Sequence, residues 1–140
     1  MRILVPVDGS EPSDVALNHT IEQFDDAEIV ALYVMDPVDG STAWGPGSAD
    51  EWLSASEERA ETVLNEAAET AAEAGRSVTT ESVIGRPAQT IVEYIDEHDI
   101  DHVVIGSHGR EGLSRVLLGS VAETVVRRAS VPVTVARPRE

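Results

Sequence analysis

Five short strand-like runs alternate along the chain with four stretches in which apolar side chains recur every three or four positions. Residues 2–7 (Arg-Ile-Leu-Val-Pro-Val) are apolar almost throughout, the pattern of a strand buried on both faces. Asp8-Gly9-Ser10-Glu11-Pro12-Ser13 breaks that run with turn and cap residues. Ser10 or Ser13 can cap a first helix reaching about Phe24, with Ala16, Leu17, Ile21 and Phe24 on its apolar face. Glu28–Met35 is a second apolar run. Glu51–Ala74 has helical spacing at Leu53, Ala60, Leu64, Ala67, Ala71 and Ala74, and Gly75 follows as a C-cap. Ser77–Ile84 alternates as a third strand, closed by Gly85-Arg86-Pro87. A third helix over Ala88–Glu97 is expected to bury Ala88, Ile91, Val92 and Ile95. His102–Ile105 is the fourth strand, Val121–Arg128 the fourth helix and Val131–Ala136 the last strand.

This order predicts an α/β fold of three layers, with helices on both faces of a parallel sheet. At 140 residues the chain is expected to form one domain over 1–140, large enough for a core. It shows no internal repeat and no low-complexity tract. Residues 36–50, rich in Gly, Pro, Ser and Asp, have no periodicity and are expected to be the longest loop, mobile and placed to cover a ligand.

Charge adds a second layer to this picture. Acids number 26 against 10 bases, for a net charge of -16, and every base is arginine. Such a surface argues against nucleic acid and against an anionic membrane as partners. It also suits a protein living in high salt, where self-repulsion is screened over a few ångströms; an ordinary acidic protein is the other reading. No apolar run approaches the ~20 residues of a membrane helix, no signal-peptide pattern precedes the first strand, and cysteine is absent. A cytoplasmic location is the expectation.

The acids are unevenly placed. Residues 1–105 hold four arginines against 23 acids, net -19, whereas residues 106–128 hold four arginines against two glutamates, net +2. That basic stretch begins with a glycine-rich loop, Gly106-Ser-His-Gly109-Arg110-Glu-Gly-Leu-Ser-Arg-Val-Leu-Leu-Gly119-Ser120, between the fourth strand and the fourth helix. Glycines admit a close backbone approach, and the first N–H groups of a helix, with the dipole behind them, attract an anion. The loop is not a phosphate loop of the Walker type, because the chain has no lysine to reach the phosphates. The spacing is also not that of a dinucleotide fingerprint, and it follows the fourth strand instead of the first. Tight turns alone would use glycines too, but three spaced glycines ending in a hydroxyl residue at a helix start favour ligand binding.

The spacing G-x2-G-x9-G-[S/T] at 106–120 resembles the nucleotide-binding branch of the universal stress protein family. Val-Pro-Val-Asp-Gly-Ser at 5–10, Tyr-Val-Met-Asp at 33–36, Gly-Arg-Pro at 85–87 and Val-Pro-Val-Thr-Val at 131–135 resemble further blocks of it. The resemblance spans the chain apart from 36–56. It implies a five-stranded parallel sheet in the order 3-2-1-4-5, as in adenine nucleotide alpha hydrolase-like folds, with strands 1 and 4 adjacent at the switch point where ligands bind. It implies ATP as ligand, with Mg or Mn on the phosphates. Gly106 and Gly109 would then let the backbone contact ribose and phosphate, and Gly119 and Ser120, with Val121 beside them, would hold the β- and γ-phosphates. Val34 would meet adenine through its backbone, while Pro6, Val7 and Asp8 would line the adenine and ribose side. Arg110 and Arg115 would supply positive charge, an inference from charge alone. The resemblance also implies a homodimer through the Val131–Ala136 edge strand, where Pro132 and an exposed apolar edge fit such pairing.

Several residues keep two readings. Asp8 before Gly9 is either a turn former or a ligand contact, through ribose hydroxyls or a phosphate-bound divalent ion. Ser10 reads as a helix cap, and His108 has no assigned chemistry. His98 and His102 straddle a helix end and a strand start, which argues against a metal pair. Trp44 and Trp52 either pack on the core or shield a ligand. Glu111 and Glu123 lie near the loop without an evident orienting partner, so no catalytic residue is assigned. The leading expectation is an ATP-binding, homodimeric stress-response module and not a fast enzyme. Slow or partner-triggered ATP hydrolysis is the alternative. A nucleotide-free dimeric scaffold is the third reading, disfavoured by the intact glycine spacing.

Overall fold

A computed structural model describes residues 1–37, 49–107 and 119–138. Within them the elements are β1 (Arg2–Pro6), α1 (Glu11–Gln23), β2 (Glu28–Met35), α2 (Ala49–Glu73), β3 (Val78–Ile84), α3 (Pro87–Glu97), β4 (His102–Gly106), α4 (Ser120–Arg128) and β5 (Val133–Ala136). The five strands form one sheet in the order β3-β2-β1-β4-β5. Every pair is parallel, with Ile3 opposite Ile29 and His102, Ile29 opposite Val78, and Val103 opposite Val133. This is the α/β architecture expected from the pattern of elements and the strand order implied by the family resemblance.

The sheet divides the core in two. Ile3 and Val5 of β1 pack with Ile29 and Tyr33 of β2 beneath α1 (Leu17, Ile21) and α2 (Val63, Leu64, Ala67). Leu4 points the other way and joins Leu32, Val103 and Ile105 beneath α3 (Ile91, Ile95) and α4 (Val125). Central strands covered on both faces must be apolar at every position, which is why β1, β2 and β4 read as continuous runs. The edge strand β3 is mostly exposed, with only Val78, Glu81 and Val83 half-buried.

Helix ends follow local chemistry. Ser10 caps α1, its side chain accepting from the Ser13 N–H at 3.3 Å. Gly75, at φ +77°, ends α2 with its N–H on the Ala72 carbonyl, while the Arg76 N–H reaches back to Ala71 at 2.8 Å. These are the paired bonds of a Schellman cap, which needs the left-handed conformation glycine adopts freely. The Arg76 guanidinium then donates to the carbonyls of Ile21, Phe24 and Ala27, each at 3.0 Å, tying the end of α1 to the turn before β3.

The differences from the sequence reading are small. α2 starts at Ala49, earlier than Glu51, and α3 starts at Pro87, whose missing N–H costs nothing at a first helical position. Within α3 the buried face is Ile91, Tyr94 and Ile95, while Ala88 and Val92 are only half-buried. Ala74 is exposed, since it lies in the cap beyond α2. β5 starts at Val133 instead of Val131. Pro132 precedes it, lacking a donor but accepting the Val103 N–H at 3.0 Å. β5 is an edge strand, as expected.

Candidate functional site

The order reverses between β1 and β4: α1 leaves β1 over one face of the sheet and α4 leaves β4 over the other. In open α/β sheets that point, beyond the carboxyl ends of the two adjacent strands, is where a ligand crevice forms. Each wall is built by a short run of residues.

On the β1 side, the Val7 N–H extends the ladder to the Leu32 carbonyl at 2.9 Å, and Asp8 and Gly9 then turn the chain. The Asp8 carboxylate accepts through Oδ1 from the Ser10 N–H (2.9 Å) and hydroxyl (2.5 Å), and the Asp8 N–H donates to the Ser13 hydroxyl. The turn-forming reading of Asp8 is therefore what its Oδ1 does. Its other oxygen accepts no hydrogen bond among the described residues, and the side chain is exposed. Gly9 adopts φ +84° beneath Val63 of α2.

On the β4 side, a Cβ on Gly106 would lie 2.6 Å from the backbone of Pro12, so glycine here lets the start of α1 sit directly on the end of β4. Ser107, which the sequence reading passed over, is buried. Its N–H donates to Ala136 of β5 (3.1 Å) and its carbonyl accepts the Gly119 N–H (2.6 Å). That second bond ties the two ends of the glycine-rich segment together and sets Gly119 as the N-cap of α4, at φ −66° and ψ 158° with no side-chain cap. The first intrahelical bond runs from the Glu123 N–H to the Gly119 carbonyl. The N–H groups of Ser120, Val121 and Ala122 precede it, have no intrahelical acceptor, and carry the positive end of the helix dipole.

The expected site residues thus fall into three groups. Asp8, Gly106, Gly119, Ser120 and Val121 flank the crevice. Pro6, Val7 and Val34 lie at the ends of β1 and β2, with Val34 half-buried and opposite Val83 of β3. Gly109 and Arg110, with His108 and Arg115, lie outside the described residues, as does Trp44. Trp52 packs partly buried against the core beneath α2.

The α1 wall is acidic. The Asp14 carboxyl is held above its ordinary range, first by burial and then by Glu66, Asp8 and Glu11. The two histidines questioned as a metal pair serve elsewhere: the His98 ring stacks on Tyr94, and His102 bonds to the Thr134 hydroxyl. No group of three or more metal-ligating side chains occurs among the described residues. No helix among them is long and apolar enough to cross a membrane.

The chain resembles known proteins over nearly its whole length. A universal stress protein of Methanocaldococcus jannaschii is 39% identical over 144 residues, covering 97% of this chain and 81% of that one. The solved structure of a universal stress protein of Lactobacillus plantarum superposes with a TM-score of 0.84 at 31% identity, covering 98% and 97% of the two chains. A universal stress protein solved in complex with cAMP superposes at 0.71 with 27% identity, covering 97% and 96%. The model of the universal stress protein family matches residues 1–137, and the chain belongs to that family.

Proposed function

We propose that this chain is an ATP-binding (more broadly, adenine nucleotide-binding) stress-response protein, a homodimeric cytoplasmic module that holds its ligand without fast turnover. The observation that carries this reading is the uncapped start of α4. The Ser107–Gly119 bond holds it across the switch-point crevice from Asp8, leaving three helix-start N–H groups for an anion. Because the Gly119 N–H is itself engaged, the donors for phosphate come from Ser120, Val121 and Ala122, joined by the Ser120 hydroxyl. Asp8 retains one carboxylate oxygen for ribose or for Mg or Mn carried on the phosphates. A universal stress protein of similar fold solved in complex with cAMP supports the nucleotide reading. The dimer reading rests on β5 standing at the sheet edge, with Val133 and Val135 half-buried in the single chain and Val126 of α4 exposed.

Nucleotide analysis of the freshly purified protein, joined to a thermal melt with added ATP, tests the reading. A ligand at about 100 times its dissociation constant stabilises the fold by about 2.7 kcal/mol, an upward shift of several degrees for a chain this size. Absence of both copurified nucleotide and thermal shift overturns it. Steady ADP release above the uncatalysed background would replace the binding module with an ATPase.

A further inference from the structure

The positive charge expected at this site came from the glycine-rich segment, yet an arginine from another element stands at the crevice. The point where a Cβ would project from Gly9 lies 3.2 Å from Val63 Cγ2 and 3.7 Å from Arg59 Nη2. α2 therefore crosses the turn at the end of β1, held down by the buried Ala60 and Val63. Arg59 lies one helical turn before Val63, roughly 6 Å further along the axis. α2 runs antiparallel to the strands, so that turn reaches outward past the end of β1. Arg59 is exposed and makes no ion pair or hydrogen bond among the described residues.

Its surroundings give this cation a task. Asp8 lies in the turn after β1, and Glu11 and Asp14 follow on the first turn of α1, so a phosphate-bearing ligand entering from this side meets like charge. The Asp14 carboxyl holds its proton more readily than usual, first through burial and then through Glu66, Asp8 and Glu11. A guanidinium beside Gly9 offsets the repulsion and offers up to five donors.

We propose that Arg59 is a ligand-positioning residue, the cation on the β1 side of the crevice that admits and holds a polyanionic nucleotide against the acidic start of α1. This inference rests on the nucleotide reading above and adds to it a residue and a charge dependence. The effect of Arg59 must grow with ligand charge, from adenosine through AMP to ATP, and must fade in high salt.

Calorimetric titration of the full chain with those three ligands, in about 0.1 M salt, reads the difference. Arg59→Ala is expected to raise the ATP dissociation constant roughly fivefold, the value of about 1 kcal/mol for an exposed charge contact. The effect on AMP is smaller and adenosine is unaffected, while Arg59→Lys stays within about twofold of wild type for ATP. Arg128→Ala makes the same change in net charge at the far end of α4 and controls for the overall field. Arg59→Ala binding ATP as wild type does, an equal loss for all three ligands, or an equal loss in Arg128→Ala would each overturn the proposal while the nucleotide reading stands. A wild-type chain that binds none of the three would overturn both.

Discussion

Gly106 illustrates how packing can require a residue that a motif also assigns to ligand access. Its motif position suggests a backbone left bare for ribose and phosphate. In the fold, the missing Cβ is also required by α1, because any side chain would meet the carbonyl carbon and oxygen of Pro12 at 2.6 Å. Those atoms are backbone and cannot rotate aside. Gly106→Ala should therefore push α1 off β4 and destabilise the fold by about 1–3 kcal/mol, the usual range for overpacking. Chemical denaturation reads this directly. A variant as stable as wild type would mean that α1 and β4 separate more easily than their contact implies. Asp8 is double in the same way: its Oδ1 builds the turn through Ser10, and only its second oxygen is left to face a ligand.

Among the elements, the pairing of β4 with β5 carries a titratable group. His102, at the start of β4, bonds through Nε2 to the Thr134 hydroxyl of β5 at 2.8 Å and lies 5.3 Å from the ring of Phe24. Burial first, and the nearby His19 second, hold its pKa below the ordinary 6.5. The sign follows from the neutral form being the folded one. Above pH 6.5 neither state binds the proton and nothing changes. As the pH falls through 6.5, the unfolded chain takes a proton that the fold refuses, so stability declines until the lower folded pKa is passed. Melting temperatures between pH 8 and 5 should fall more steeply for wild type than for His102→Gln, which removes the titration. Parallel curves would remove His102 from the account.

At the scale of the whole molecule, charge dominates. The net charge of -16 is met by two ion pairs among the described residues, Arg2–Glu28 and Arg127–Glu123, both on the surface where such pairs contribute little. The unpaired acids repel one another in the compact state, and the screening length shrinks to about 3 Å at 1 M salt. Stability should therefore rise as KCl increases from about 0.1 to 2 M. A melting temperature that stays flat or falls over that range would count against salt adaptation.

Periodicity and cap residues alone determined the order and class of the elements, because they are local: continuous apolar runs mark strands covered on both faces, and Gly75 marks the end of α2. The family-like blocks then implied the strand order, and the glycine spacing located one wall of the crevice. What tertiary structure decided is which distant residues meet. Only the packed fold puts Pro12 against Gly106, engages the Gly119 N–H with Ser107 so that the next three residues keep their donors, and carries Arg59 across the turn at Gly9. None of these contacts has a period or a spacing along the chain. Each arises because parallel strands bring the ends of successive elements to one edge of the sheet, where residues far apart in sequence share a single crevice.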